Sequence, residues 1–223
     1  MTAKRPTQPP SPTGRRAMPA AAGRLGDAGQ SAVEQRFLHP GQHYVTRRPA
    51  VLSTLLGSCV SVCLYDPIAR VIGMNHFLLA TRHPASEPVL QSDAGRYGMG
   101  AMELLINDML KHGAKRAQLR AKAFGGGNVL ATRLSDLPDR FSIGKINVEF
   151  VRRYLDNDGI PLVAHHLGGD FGRQIRFDSS DFSVYMRRVP IKSAQRIAAE
   201  EKQYFERELR QRDKPASGTV EFW

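Results

Sequence analysis

Length, composition and charge restrict the class of protein. The chain has 223 residues, of which 41% are hydrophobic, and its net charge is +11. This length suffices for one well-buried core and is short for two. No apolar run approaches the roughly 20 residues that cross a bilayer, and no apolar segment of a secretion signal follows the basic N-terminus. We therefore expect a single-domain cytoplasmic protein without membrane insertion.

The positive charge is concentrated near the two ends of the chain. Residues 1–36 hold six Lys or Arg against two acidic residues, and residues 187–223 hold nine against six. A basic excess can indicate nucleic-acid binding, but these segments have no compact platform of basic and aromatic residues. A weak attraction to acidic partners is the simpler interpretation, so we expect no nucleic-acid partner.

The first predicted elements are a tail and a pair of strands. Residues 1–34 are rich in Pro, Ala, Gly and Arg without hydrophobic periodicity, which predicts a disordered tail. The folded domain is expected over residues 35–190. Residues 43–52 are interpreted as an entry segment leading into a strand. Two apolar runs, CVSVCLY and VIGMNHFLL, then flank Asp66-Pro67 and predict adjacent strands joined by a turn.

The later elements alternate between helices and strands. In chain order they are a helix over 95–112 with Asp93 as N-cap and Gly113 as stop, a strand over 117–124, a helix over 143–156, a strand over 160–165, a hairpin of 174–177 and 182–188, and an amphipathic helix over 193–212. The last helix belongs to a charged C-terminal helix and tail, 191–223, that either docks on the domain or protrudes. These elements predict an α+β fold, a layered sandwich of mixed and antiparallel strands flanked by two or three helices.

One cysteine and one histidine stand where the predicted strand pair would bring them together. Cys59 follows Gly57-Ser58 at the start of one strand, and His76 lies at the end of the next. A thiol beside an imidazole is the minimal equipment for nucleophilic attack on a carbonyl. We expect His76 to lower the pKa of the Cys59 thiol, and the N–H groups of the turn to hold an oxyanion. On composition alone, a strand-end histidine with ordinary partners is the commoner outcome.

The other candidate sites are interpreted as structural. Cys63 stands mid-strand among apolar residues and is expected to be a buried, inert thiol. In a strand it would lie about 13 Å from Cys59, too far for a disulfide. Two cysteines without a second pair give no zinc site of the usual kind. The run FGGGNVL lacks the Gly-Lys-Ser/Thr of a P-loop and the third glycine of a dinucleotide site. We expect no metal and no cofactor.

Six blocks of sequence carry a resemblance to a known family. They are TLLGSCVSVCLYDP (54–67), GMNHFLL (73–79), RYGMGAMELLI (96–106), AKAFGGGNVL (121–130), IGKINVEFV (143–151) and LGGDFGRQIRF (167–177). In this order they closely resemble CheD, the chemoreceptor glutamine deamidase of bacterial chemotaxis, over roughly residues 36–189. The resemblance implies a hydrolase, a protein-glutamine glutaminase that acts on methyl-accepting chemotaxis receptors.

The resemblance also implies roles for individual residues. Cys59 would be the nucleophile and His76 its base, with an upstream hydroxyl orienting the imidazole. Thr54 is the favoured residue for that hydroxyl and Ser53 the reserve. Substrate or partner contacts are expected at four residues near the site, Ser58, Phe124, Gly125 and Gly126; for the glycine run, a turn that merely ends a strand is an equally weighted interpretation.

Several partners and functions stay open at this stage. The resemblance implies CheC, a phosphatase of the response regulator, as a further partner that competes with receptors. A non-catalytic adaptor of the receptor array is the main alternative function. A different thiol enzyme, such as a protease or transglutaminase, would use a similar acyl intermediate. Nucleic-acid binding through the basic tails would predict affinity that falls steeply with salt.

Overall fold

The structure, a computed structural model, describes residues 33–79, 89–128, 140–189 and 191–212. Within these ranges the elements are β1 Glu34–Phe37, β2 His43–Thr46, β3 Ala50–Leu56, β4 Val60–Asp66, β5 Val71–Asn75, α1 Asp93–Lys111, β6 Arg120–Gly125, α2 Arg140–Asn157, β7 Leu162–Leu167, β8 Arg173–Asp178, β9 Val184–Arg188 and α3 Ile191–Arg212. The tail predicted over residues 1–34 falls almost wholly outside the described residues, and the domain boundaries at 34 and 190 stay predictions.

The strands form two mixed sheets. One has the order β1-β3-β8-β9 and the other β2-β5-β4-β6-β7. The pairs β1–β3 and β6–β7 are parallel, and the other pairs are antiparallel. With three described helices against these sheets, the predicted α+β sandwich is confirmed. No helix in the described ranges combines the length and the apolar character needed to cross a bilayer.

The strands β4 and β5 form the predicted antiparallel pair. Asp66 closes their turn, because its carboxylate accepts hydrogen bonds from the N–H groups of Ile68 and Ala69 at 2.8 and 2.9 Å. At the opposite end of the pair, Val60 bridges to Phe77 in antiparallel fashion. The residue before β4 and the residue after β5 therefore meet at one end of the sheet.

Two hydrophobic cores lie on the two faces of the five-stranded sheet. Alternate residues of β4, among them Val60 and Leu64, pack with α1 and α2 in one core. Cys59 and Cys63 point to the other face, where they join residues of β3 and β8 in the second core. The molecule is thus layered as sheet, sheet and helices, and Cys59 lies between the two sheets.

The element boundaries differ from the prediction in a few places. The residue that caps α1 is Ser92 rather than Asp93, since the Ser92 hydroxyl accepts a hydrogen bond from the Gly95 N–H at 3.1 Å. Gly113, with φ +93°, ends the helix as predicted. The segment over 43–52 holds two strands in different sheets, because Arg47–Pro49 form a bend between them.

Candidate active site

Cys59 and His76 meet at the end of the β4–β5 pair, as their positions predict. Both residues are buried, and the Cys59 Sγ lies within 4.8 Å of a His76 ring nitrogen. The backbone on both sides of His76 is fixed by the loop before β2: the His76 N–H donates to the Gln42 carbonyl at 2.9 Å, and the Gly41 N–H donates to the His76 carbonyl at 2.7 Å. The imidazole is therefore held against the thiol by main-chain bonds.

Thr54, and not Ser53, contacts the imidazole. The Thr54 hydroxyl lies 2.8 Å from His76 Nδ1 and donates to the Leu38 carbonyl at 2.7 Å. Because its proton goes to that carbonyl, the hydroxyl accepts from Nδ1–H, which leaves Nε2 unprotonated. Ser53, on the opposite side of β3, donates instead to the Arg36 carbonyl at 3.4 Å.

This geometry gives His76 the tautomer of a base. Its Nε2 is buried and has no hydrogen-bond partner among the described residues. Burial lowers the pKa of His76 to about 4, against an opposing effect of Glu201. Burial, reinforced by the Glu201 carboxylate, raises the pKa of the Cys59 thiol. The sequence-based expectation of a lowered thiol pKa is thus wrong for this arrangement, in which a neutral thiol faces a neutral imidazole.

The loop before β4 presents a nest of donors to one carboxylate. Gly57 and Cys59 donate their N–H groups to Glu201 Oε1 at 2.9 and 3.1 Å. Ser58 donates its N–H and its hydroxyl to Glu201 Oε2 at 3.0 and 2.6 Å. The loop therefore forms an anion-binding pocket beside Cys59, and Glu201 of α3 occupies it.

The glycine run at the end of β6, Gly125–Gly127, supports the main chain of this loop. Gly126 and Gly127 donate their N–H groups to the carbonyls of Cys59 and Gly57 at 2.7 and 2.6 Å. With those carbonyls turned toward the glycine run, the N–H groups of the loop point into the pocket. Gly125 has φ +117°, and a side chain there would place its Cβ 2.1 Å from the Cys59 carbonyl oxygen.

Two buried polar side chains that sequence reasoning missed complete the support. Asn147 of α2 donates to the Ser58 carbonyl at 2.8 Å and accepts from the Leu79 N–H at 2.9 Å. Arg173 of β8 donates to the carbonyls of Gly125 and Gly168, each at 2.5 Å. Both side chains fix loops through main-chain carbonyls. Such contacts depend on the fold and leave no local pattern in the sequence.

The four predicted contact residues take different positions. Ser58 is partly exposed at the pocket, and its hydroxyl is one of the donors described above. Phe124 packs in the core between the sheets with 7% of its surface exposed. Gly125 and Gly126 are buried next to the Gly57–Cys59 loop. Their roles in binding a substrate or partner stay predictions.

Glu201 is the acidic residue that the sequence analysis missed. It lies 3% exposed on the face of α3 that also buries Ile197 and Tyr204. The spacing of these three positions, 197, 201 and 204, was a signal in the sequence, because it places Glu201 in the middle of an apolar stripe. α3 therefore docks on the domain through this stripe rather than protruding.

The same three side chains could also hold a metal ion by distance alone. One ligand atom from each of Cys59, His76 and Glu201 lies within 4.8 Å of the others. The carboxylate already accepts four hydrogen bonds from the loop, and His76 Nδ1 is hydrogen-bonded to Thr54. These contacts are those of an anion pocket with an adjacent thiol and base.

Comparisons with known proteins place the chain in a family. The model of the family "CheD chemotactic sensory transduction" matches residues 78–188, a segment that begins after Cys59 and His76. A probable chemoreceptor glutamine deamidase CheD 2 of Shewanella oneidensis is 47% identical over 75% of this chain and 83% of its own. A probable chemoreceptor glutamine deamidase CheD 1 of Geobacter sulfurreducens is 44% identical over 82% and 91%.

Among solved structures, the hypothetical protein YfiH of Bacillus licheniformis is similar with a TM-score of 0.34 at 18% identity, covering 57% of this chain and 49% of that one. The two curated relatives are far more similar, and each is matched over more than four fifths of its own length. The chain therefore belongs to the CheD family of chemotactic sensory transduction proteins.

Proposed function

We propose that the protein is a protein-glutamine deamidase that converts glutamine side chains of methyl-accepting chemotaxis receptors to glutamate. The observation that carries the proposal is the buried Thr54–His76–Cys59 arrangement beside the anion pocket of Gly57–Cys59. Relatives named as probable chemoreceptor glutamine deamidases support the choice of substrate. The geometry supports a thiol nucleophile with an adjacent base, and family membership supports deamidation of a receptor.

Each group in the arrangement has a role in hydrolysis of a carboxamide. His76 Nε2 takes the thiol proton as Cys59 Sγ attacks the Cδ of the glutamine. The N–H groups of Gly57 and Cys59 stabilise the negative charge that develops on the carboxamide oxygen. The imidazolium then returns its proton to the departing ammonia. His76 next activates water, which hydrolyses the thioester and releases glutamate and the free thiol.

Thr54 acts on this chemistry through His76. By accepting from Nδ1–H it keeps Nε2 as the basic nitrogen and fixes the ring plane. Its hydroxyl proton is committed to the Leu38 carbonyl. Thr54 is therefore a positioning residue.

The proposal extends to location and to a regulatory partner. The protein would act in the cytoplasm, on the signalling portions of receptors. A CheC-type phosphatase would bind the same face and compete with receptors, as the family resemblance implies. The adaptor alternative draws on one observation: Glu201 fills the pocket that a substrate would need. A protein locked in this state would bind receptors without modifying them.

Mass spectrometry of a receptor cytoplasmic fragment tests the proposed function. After incubation with the protein, each modified glutamine should gain about one dalton, with release of ammonia. Peptide cleavage or incorporation of an added amine would indicate a protease or a transglutaminase instead. Unchanged receptor mass with both the wild-type protein and Glu201→Ala, together with measurable receptor binding, would contradict the deamidase proposal and favour the adaptor.

Replacing Thr54 by valine should lower turnover without abolishing it. Valine keeps the shape but leaves Nδ1–H without its acceptor, so the imidazole loses its fixed tautomer. Since a general base contributes roughly 10²- to 10⁴-fold, we expect kcat to fall about tenfold to a hundredfold with little change in KM. Thr54→Ser keeps the hydroxyl and should restore most of the rate. Equal rates for the valine and serine variants would contradict the positioning role.

A further inference from the structure

Glu201 is held in the active site as a ligand would be held. Its carboxylate accepts four hydrogen bonds, three from main-chain N–H groups of Gly57–Cys59 and one from the Ser58 hydroxyl. The side chain is 3% exposed, and one of its oxygens lies within 4.8 Å of the Cys59 Sγ. A carboxylate that is buried and accepts four hydrogen bonds from the loop Gly57–Cys59 belongs to a preformed binding site. A charged residue on the surface of a helix would be solvated instead.

The chemical identity of this ligand is informative. A glutamate side chain is the product of hydrolysis of a glutamine carboxamide. Two of the donors that Glu201 engages, the N–H groups of Gly57 and Cys59, are those that the proposed reaction uses for the carboxamide oxygen, and the Cys59 thiol lies beside them. α3 therefore presents a product-like group to the nucleophile from within the same chain.

We propose that Glu201 is a built-in product analogue, that the Gly57–Cys59 loop is the pocket for the substrate carboxamide, and that the receptor segment must displace α3 to react. This inference rests on the proposed function for the identity of the displaced ligand. The geometry of the pocket belongs to the chain alone.

The described residues of α3 dock the helix on the domain through one face. Beside Glu201, the described contacts of its buried face come from Ile197 and from Tyr204, whose ring lies over Gly41 and whose hydroxyl bonds to that of Tyr97. The intervening residues on the outer side, Glu200 and Lys202 among them, are more exposed. Among the described side chains of α3, Glu201 lies between the two other buried residues of this face.

Displacement of the carboxylate would also alter the nucleophile. Burial raises the pKa of the Cys59 thiol most, and the negative charge and hydrogen bond of Glu201 raise it further. A neutral carboxamide in the same pocket removes that charge, so the thiol loses its proton to His76 more readily. Occupancy by Glu201 therefore blocks both the pocket and the activation of the thiol.

The proposal makes an unusual prediction for Glu201→Gln. The variant carries a glutamine in the pocket, so the chain should become its own substrate. Cys59 Sγ bonds to the Cδ of the new glutamine, the C–N bond breaks, and ammonia leaves with a proton from His76. Water then cleaves the thioester, which regenerates the thiol and leaves glutamate at position 201. The balance is one carboxamide and one water to one carboxylate and one ammonium.

Purified full-length Glu201→Gln protein, followed by peptide mass spectrometry, tests this directly. The peptide that contains position 201 should gain about one dalton with first-order kinetics that do not depend on protein concentration. The double variant Cys59→Ala, Glu201→Gln should keep its glutamine. Glu200→Gln is the matched control, because the Glu200 side chain lies on the more exposed side of the same helix and forms an ion pair with Arg196 at 3.7 Å; its glutamine should also persist.

A second measurement tests whether removal of the Glu201 carboxylate frees the pocket for the receptor. Glu201→Ala removes the product analogue, and we expect receptor deamidation to rise about tenfold or more, since the competent fraction of the protein increases. Glu200→Ala should leave the rate at the wild-type value. Circular dichroism of all variants checks that they are folded.

The outcomes separate this inference from the proposed function. Persistence of glutamine at 201 in a folded variant, with receptor deamidation no faster in Glu201→Ala than in wild type, would overturn the inference and leave the deamidase intact. Conversion at position 201 without any receptor deamidation would support the pocket and the product analogue while overturning the receptor as substrate. Conversion that persists in the Cys59→Ala background would overturn both the role of the loop and that of the thiol.

Discussion

Cys59→Ala is expected to abolish receptor deamidation while leaving the fold intact. In the proposed mechanism the Cys59 thiol forms the acyl intermediate, and neither Thr54 nor His76 can replace it. Loss of a nucleophile that acts as a unit with its base lowers turnover by about 10⁴-fold or more. The measurement is the rate of ammonia release with a receptor fragment, made in the Glu201→Ala background if the wild-type rate is low.

Cys63→Ala is the matched control for this prediction. Cys63 lies on β4, which Cys59 directly precedes, and it is fully buried in the same core as Cys59 but in mid-strand and opposite Met74. Burial raises its pKa to about 12, so it stays a neutral thiol. The substitution should cost about 1 kcal/mol of the free energy of unfolding and leave the rate within a few-fold. Residual deamidation by the Cys59→Ala variant, or equal losses for both variants, would contradict the assignment of the nucleophile.

Gly125→Ala is expected to destabilise the protein and disable the site together. The residue has φ +117°, which alanine adopts only at a cost, and the new Cβ would lie 2.1 Å from the Cys59 carbonyl oxygen. The Cys59 carbonyl would have to move, and the Gly57–Cys59 loop would move with it. We expect a loss of roughly 3 kcal/mol or more in the free energy of unfolding measured with urea. In the fraction that stays folded, deamidation should be strongly reduced.

Gly100→Ala is the control for Gly125→Ala and should change the free energy of unfolding in the opposite direction. Gly100 is an exposed residue inside α1, and a Cβ there meets nothing within 4 Å. Alanine at this position should stabilise the helix by about 0.5–1 kcal/mol and leave activity unchanged. If Gly125→Ala were as stable as Gly100→Ala, the close approach of the glycine run to Cys59 would be refuted.

Much of the fold was predictable because its strongest signals are local. The Asp66-Pro67 break between two apolar runs predicted the β4–β5 pair, and helical spacing predicted α1, α2 and α3. The short strand β1 was not predicted, because Glu34–Phe37 is mostly exposed and is defined by its pairing with β3. The assignment of strands to two sheets was also beyond sequence reasoning, since it depends on long-range pairing such as β3 with β8.

The candidate site also contains residues that the local sequence could locate and residues that it could not. Cys59 and His76 could be located because a single hairpin brings them together, and the resemblance pointed to Thr54. Glu201 and Asn147 reach the site from helices that are distant in sequence from the loop they contact. Their partners are main-chain groups, which every residue has, so no residue pattern identifies the contact. The thiol pKa was misjudged because the burial of Cys59, which raises the pKa most, and the Glu201 carboxylate beside it both depend on the tertiary structure.

Cys59 lies where the chain passes from one sheet to the other. β3 ends at Leu56 in the four-stranded sheet, and β4 begins at Val60 in the five-stranded sheet, so Gly57–Cys59 is the crossing between them. The donors that point into the pocket keep their direction only while the two sheets stay packed face to face. The reactivity of the Cys59 thiol therefore depends on the packing of the two sheets. A small shift of one sheet against the other would abolish activity before any strand had lost its own hydrogen bonds.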